Sequence, residues 1–456
     1  MIFLPYAIDL FCGAGGMSEG LLQAGFHILF SSDINVDVEK TYVARHKQLG
    51  LQDGINTHFQ RADIRDLPSK EIINSIKNLE IFKNKSIPTI DAIFGGPPCQ
   101  GFSRAGRRDK SDPRNTLFKE YLRIINDIRP NYVVMENVEG FLDTRLDGYI
   151  GVTGEKYQND MLMPELLQNE FELIGYDTLE PQVLNASDFG VPQRRRRVIF
   201  LAYLRGQTPP TYPTPTTPNE ERVSVIDAIG DLIVDPNVRK KVNYKGSVYQ
   251  RESSNGRTKN IHGEPVINDN TIKNHELSSH SELVKERFSL FQQGETSTML
   301  IQRIRNEGIN ILSYPTLLMH CQDNLKEEYS REELIRRFAN GEADEIMIQT
   351  LLTKKSNRYR LNQNQVSPTM VTMPDDYLTP FENRIPSVRE MARIQSFDDS
   401  FKFHGKRTTG GSRRKFEVPQ YTQVGNAVPP LLAKSIALEI KRAINSTSLE
   451  QLQIRS

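Results

Sequence analysis

Hydrophobic and polar positions over the first two hundred residues switch repeatedly between two periods. Short apolar runs at 7–11, 28–32, 58–62, 90–94, 132–135 and 198–204 read as strands. The stretches between them, such as 18–24, 36–46, 116–128 and 160–171, carry apolar residues at helical spacing. Strands alternating with helices predict an α/β fold with a doubly wound, Rossmann-like, mainly parallel sheet. Residues 207–219 hold five prolines and end the pattern, as a linker or boundary would. Residues 220–380 are polar and rich in Asn, Ser, Arg and Lys, with helical stretches only near 282–291 and 331–352. Clear patterning resumes at Pro386, with a capped helix over 387–395 and an amphipathic helix over 431–444. Three parts are expected: a patterned domain over 1–205, a smaller irregular domain over 206–384, and a segment over 385–456 that returns to the first.

Composition narrows the class. The chain has 456 residues, 37% hydrophobic and 25% charged, which suits a globular protein with a large core. Its net charge of +1 gives no global attraction to polyanions, so any nucleic-acid surface must come from local clustering. The three cysteines, Cys12, Cys99 and Cys321, form no CxxC, which argues against structural zinc and for a reducing compartment. The N-terminus lacks a signal-peptide layout and no apolar run is long enough for a bilayer, so the expected location is the cytoplasm.

Chemistry concentrates at the predicted strand ends. Gly95-Gly96-Pro97-Pro98-Cys99-Gln100-Gly101 follows an apolar run; proline fixes the backbone and glycine admits a ligand, a setting for a nucleophilic thiol. Asp9 to Gly20 is a strand, a glycine-rich turn and a helix start, with Gly13 and Gly15 letting backbone approach a nucleotide. Asp33 ends the second strand, where carboxylates accept from ribose hydroxyls, and Asp63 ends the third, within reach of an adenine amino group. No phosphate-cradling lysine follows the glycines, which favours an adenosine without phosphates, such as S-adenosylmethionine. Glu136 directly follows an apolar strand and faces the sheet edge. Arg194 to Arg197 lead into another strand, so Arg195 and Arg197 share one face.

In this order the motifs resemble the DNA (cytosine-5)-methyltransferase family of the bacterial restriction–modification type. They are Asp9–Gly20, Pro98-Cys99-Gln100, Glu136-Asn137-Val138, Gln193-x-Arg195-x-Arg197, Arg389-Glu390-x-Ala392-Arg393-x-Gln395-Ser396-Phe397 and Gln423-x-Gly425-Asn426-Ala427-Val428. The resemblance implies that Cys99 adds to C6 of a flipped-out cytosine, that Glu136 holds the base's N3 and amino edge, and that Arg197 binds O2 with Arg195 behind it. It also implies a cofactor site at Phe11, Gly13, Gly15, Asp33, Asp63 and Asn426, with Ile34 and Ile64 flanking the adenine, and no metal. Residues 100–114 would close over the base, and 206–384 would read duplex DNA. The arginines Arg358 and Arg360 precede a Ser367-Pro368-Thr369-Met370 stretch resembling one in that region of the family. A second basic segment, Lys402–Arg407 with Arg413-Arg414-Lys415, is a weaker candidate for phosphate contact. A monomer associated with the nucleoid and paired functionally with a restriction endonuclease is expected. The rivals are a transfer-RNA branch of the same family, a DNA-binding module without catalysis, and a nicotinamide-dependent oxidoreductase.

Overall fold

The computed structural model describes residues 4–98, 117–267, 271–353, 357–411, 413 and 416–454. Cys99 and the predicted closing loop at 100–114 lie outside the described residues.

The N-terminal part builds β1 (Tyr6–Leu10), α1 (Gly16–Ala24), β2 (His27–Asp33), α2 (Val36–Gln48), β3 (His58–Arg61), α3 (Ser69–Lys77), β4 (Ala92–Gly95), α4 (Leu117–Ile128) and β5 (Tyr132–Asn137). A small ribbon follows, β6 (Arg145–Leu146) with β7 (Met161–Leu162). Then come α5 (Met163–Leu173), β8 (Tyr176–Thr178), β9 (Gln182–Asn185) and β10 (Arg196–Leu204). The sheet runs β3-β2-β1-β4-β5-β10-β8, with β9 also on β10. β1 to β5 pair in parallel, while β10 is antiparallel to its three neighbours. The α/β expectation therefore holds, and the antiparallel end is β8 to β10.

Chain order reverses between β1 and β4, so a crevice opens beyond their carboxyl ends. Leu10 pairs with Gly95 there, which sets the glycine turn beside the Gly-Gly-Pro-Pro segment. Both sheet faces are covered, which is why the strands read as continuous apolar runs. One face packs on α3, α4 and α5 through Ile72, Phe118, Leu122 and Phe171.

The described residues of 225–352 are largely helical, including the stretches expected near 282–291 and 331–352. They fold into α6 (Val225–Ile229), α7 (Pro236–Val242), α8 (Val248–Asn255), α9 (Glu282–Ser289), α10 (Ser297–Glu307), α11 (Pro315–Leu325), α12 (Arg331–Ala339) and α13 (Glu345–Leu352). The helices are short, and many of the polar residues that suggested loops are their N-caps. Ser224, Asp235, Ser247, Thr296, Ser330 and Asp344 each accept a backbone N–H from the first turn of the helix they precede. From α9 to α13 the helices enclose a core of their own, with Leu300, Leu317, Phe338 and Leu351 fully buried, and Cys321 is part of it.

The proline-rich segment is a strap along the sheet and the C-terminus rather than a free linker. Tyr132 donates to the Thr208 carbonyl at 3.0 Å, Tyr212 to the Ile199 carbonyl at 2.9 Å, and Thr211 to Glu439 at 2.9 Å. After it and the helices come β11 (Tyr359–Arg360), β12 (Tyr377–Leu378), α14 (Val388–Ile394), α15 (Gln420–Asn426) and α16 (Pro430–Ile454). α16 packs with α1 over the second sheet face through Leu21, Leu432, Ile436 and Ile440. Their contact requires glycine: a Cβ on Gly16 would stand 2.2 Å from the Val428 carbonyl oxygen, and one on Gly20 2.4 Å from the Ala433 Cβ. No helix among the described residues is long and apolar enough to cross a membrane.

Candidate active site

The glycine turn begins with strain. Phe11 has φ 57° and Gly13 φ 53°, so the chain turns through left-handed conformations as it leaves β1. Gly15, at φ 97°, caps α1 and leaves no room for a side chain above Tyr42, 3.1 Å from its would-be Cβ. Beside Gly13 no heavy atom of the described residues lies within 4 Å of that position, so the turn is uncrowded by them. Asp33 locks the turn: one carboxylate oxygen accepts from the Gly13 N–H at 3.1 Å, the other from the Asn35 N–H at 2.9 Å. Burial raises its pKa, opposed by these donors.

Asp63 stands at the next strand end, where it caps a 3-10 turn and pairs with Arg65 at 2.5 Å. That hydrogen bond holds its carboxyl below the usual range. Ile34 is 63% exposed, whereas Ile64 belongs to the core under the sheet. An exposed Ile34, an uncrowded Gly13 and the Asp33 carboxylate along one sheet edge fit an adenosyl group. Asn426 is exposed at the end of α15. Cys12, beside the turn, is buried, and burial together with Asp9 and Asp33 pushes its thiol well up, so it is packing.

Across the crevice, Glu136 sits near the end of β5 opposite Ile199 of β10. Its Oε1 is 2.7 Å from Arg197 Nε, with both side chains largely buried. Its Oε2 would be 3.1 Å from a Cβ on Gly96, so the Gly-Gly-Pro-Pro turn lies close against this carboxylate and a side chain there would crowd it. Asn137 Nδ2 donates to the Pro97 carbonyl at 3.2 Å and fixes the same turn from β5. The backbone entering Cys99 is thus held against Glu136 and Asn137. Strand alternation sends Arg196 outward to Glu139 at 2.9 Å.

Arg195 is 2% exposed and lies nearer the back of the site. Its guanidinium donates to the Met370 carbonyl at 3.3 Å and the Asn426 carbonyl at 3.4 Å. Its Nε has no hydrogen-bond partner among the described residues. Burial, and then the Arg197 charge, press its pKa well down.

A match to the family model described as C-5 cytosine-specific DNA methylase spans residues 6–442. The chain belongs to this family. It is 29% identical over 443 residues to the type II methyltransferase M.DdeI of Desulfomicrobium norvegicum, covering 95% of this chain and 88% of that one. It is 28% identical to M.AgeI of Thalassovita gelatinovora, covering 96% and 99%. Its fold is like that of a crystal structure of a presumed DNA modification methyltransferase encoded within a prophage in E. coli, at TM-score 0.61, 22% identity and coverage of 97% and 99%. The protein is accordingly an enzyme, a DNA (cytosine-5)-methyltransferase with the fold of S-adenosylmethionine-dependent enzymes.

Around the methylase site, several roles were not legible in the motifs. Gln193 is fully buried and acts as a hub: its Oε1 accepts from the Met370 N–H at 2.7 Å, and its Nε2 donates to Gln395 Oε1. Gln395 in turn donates to the Val424 and Ala427 carbonyls at 3.0 and 2.7 Å. Residues 367–369 run beside 192–194: Ser367 N–H donates to the Pro192 carbonyl, Arg194 N–H to the Ser367 carbonyl, and Thr369 Oγ1 to the Arg194 carbonyl, at 3.0, 2.8 and 2.7 Å. Gly425 permits the close approach of Val371.

Arg389 and Arg393 are structural. Arg389 donates to the carbonyls of Lys273, Asp398 and Phe401; Arg393 pairs with Asp399 at 2.7 Å and Asp231 at 2.8 Å. Arg360 is buried against the Phe288 and Thr379 carbonyls, and the Arg358 guanidinium lies 5.0 Å from the Phe288 ring centre. In the second basic segment, Lys406 pairs with Glu417 and Arg407 bonds the Glu276 carbonyl.

Proposed function

We propose that the enzyme methylates C5 of one cytosine within a specific duplex DNA sequence, through a transient bond between Cys99 Sγ and C6. The observation that carries this reading is the buried Glu136–Arg197 pair, wedged against the turn that ends at Pro98. Addition of a thiolate at C6 opens the C5–C6 double bond and makes C5 nucleophilic; loss of the C5 proton expels the thiolate and restores the ring. Glu136 holds the N3 and amino edge, and Arg197 both orients Glu136 and binds O2. Arg195 braces Arg197 from behind. A cytosine inside a duplex cannot reach this crevice, so it must be flipped out, at a cost of a few kcal/mol in lost stacking.

S-adenosylmethionine supplies an electrophilic methyl group when bound. Phe11, Gly13 and Gly15 would shape its pocket, Asp33 would accept from the ribose hydroxyls, and Asp63 would face the adenine amino group once released from Arg65. Ile34 would cover the adenine, Ile64 would back it from the core, and Asn426 would close the far side.

The type II relatives support a role in protecting DNA from a partner endonuclease. Residues 206–384 would read the sequence and 385–456 complete the catalytic domain. A cytoplasmic, nucleoid-associated monomer without a metal fits this reading.

Duplex DNA containing 5-fluorocytosine should form a covalent adduct that Cys99→Ser does not form. Absence of the adduct from the unaltered enzyme rules out the addition route. Preference for transfer RNA over duplex DNA as methyl acceptor would favour the RNA branch of the family.

A further inference from the structure

Phe416 is 80% exposed, the largest exposure of any large hydrophobic side chain among the described residues. Its backbone is not loose. The Phe416 carbonyl accepts from Asn35 Nδ2 at 3.1 Å. Asn35 is the hinge of the cofactor edge: its N–H donates to Asp33 at 2.9 Å, and its Oδ1 caps α2 by accepting from Asp37 and Val38. The residue between Asp33 and Asn35 is Ile34, itself 63% exposed.

The chain around Phe416 is pinned to the same place. Lys406 pairs with Glu417 at 2.8 Å, and the Gln420 N–H donates to the Lys406 carbonyl at 2.9 Å, closing the base of the excursion. That base rests on the first turn of α2, where a Cβ on Gly405 would stand 3.3 Å from Asp37 Oδ1. Two large apolar side chains are therefore exposed at one asparagine, Ile34 as its neighbour in the chain and Phe416 through the carbonyl that Asn35 holds. Exposed apolar surface of this kind gains by leaving water, and a flat heteroaromatic ring bound along this edge would supply cover.

We propose that Phe416 is a further binding residue of this enzyme for the methyl donor, its ring lying against the exposed edge of the adenine beside Ile34. The proposal rests on the reading of the Asp33 edge as the S-adenosylmethionine site. It assigns a role to a stretch that the sequence marked only as basic and suited to phosphate.

Equilibrium dialysis with S-adenosylmethionine separates the two claims. Unaltered enzyme should bind the cofactor, and Phe416→Ala should bind it about tenfold more weakly while keeping its melting temperature and its affinity for duplex DNA. The chain has no tryptophan, so Phe416→Trp carries a single reporter at the site. Its fluorescence should change on cofactor addition and saturate at the dissociation constant found by dialysis. Equal binding by Phe416→Ala, or unchanged indole fluorescence in a Phe416→Trp protein that binds cofactor, overturns the proposal and leaves the Asp33 site standing. Failure of the unaltered enzyme to bind overturns both.

Discussion

A carboxylate tied by Oε1 to a buried guanidinium, with a glycine against Oε2, has one usable direction, and in Glu136 that direction is the crevice. Glu136→Gln keeps the shape and removes the charge that orients Arg197. It should lower the single-turnover methylation rate by about 10²–10⁴ with little change in folding, measured by tritium transfer to duplex DNA. Asp9 offers a second test. It is buried, its Oδ1 has no hydrogen-bond partner among the described residues, and burial raises its pKa from 3.8 to about 7. The folded state therefore holds a proton there that the unfolded chain has released. Its contribution is fully present below pH ~4 and is lost as pH rises to ~7, by up to roughly 4 kcal/mol at about 1.4 kcal/mol per unit. Urea melts at pH 5 and pH 8 should show that Asp9→Asn removes most of this slope; identical slopes in both proteins would refute it. At this scale the sequence was informative about position where a residue's neighbours in the chain set it: Asp33 ends β2 and Glu136 lies near the end of β5. It was silent where partners come from afar, as with Gln193 and Met370, or with the carbonyls that receive Arg195.

Elements were legible in proportion to their burial. β1, β2, β4 and β5 announced themselves because helices cover both faces of the sheet. Of the helices α6 to α13, those near 282–291 and 331–352 were legible from their spacing; the others were not, because each is short and its caps look like loop residues. α14 was legible from its Ser387–Glu390 capping box, but the work of its arginines was not. Arg393→Ala would leave Asp399 buried without its guanidinium and should cost about 3–5 kcal/mol in urea unfolding. The α1–α16 contact is equally exacting. Gly20→Ala inserts a methyl group into a gap of 2.4 Å and should destabilise by about 1–3 kcal/mol, with the cofactor turn at the head of α1 disturbed in parallel. A calorimetric melting temperature unchanged from the parent would contradict that packing.

For the molecule as a whole, a net charge of +1 means that attraction to DNA is local. The slope of log affinity against log salt should correspond to a handful of phosphates, about −3 to −6, and a slope near −10 would disprove it. The division at 206 and 384 read from composition has to be set beside the contacts that cross it. The α9–α13 core takes in Leu378 and Ile385 from beyond those helices, and residues 367–370 are hydrogen-bonded to the segment that carries Arg195 and leads into β10. In the proposed reading of 206–384 as the part that reads DNA, that pairing sets where a new specificity would be joined. A graft joined after Met370 would carry in foreign partners for Gln193 and the Arg195 guanidinium, and put the arginine pair at the mercy of the donor. A seam before Ser367 keeps the recipient's own pairing, so in that reading the cassette ends eighteen residues earlier than composition alone would draw it.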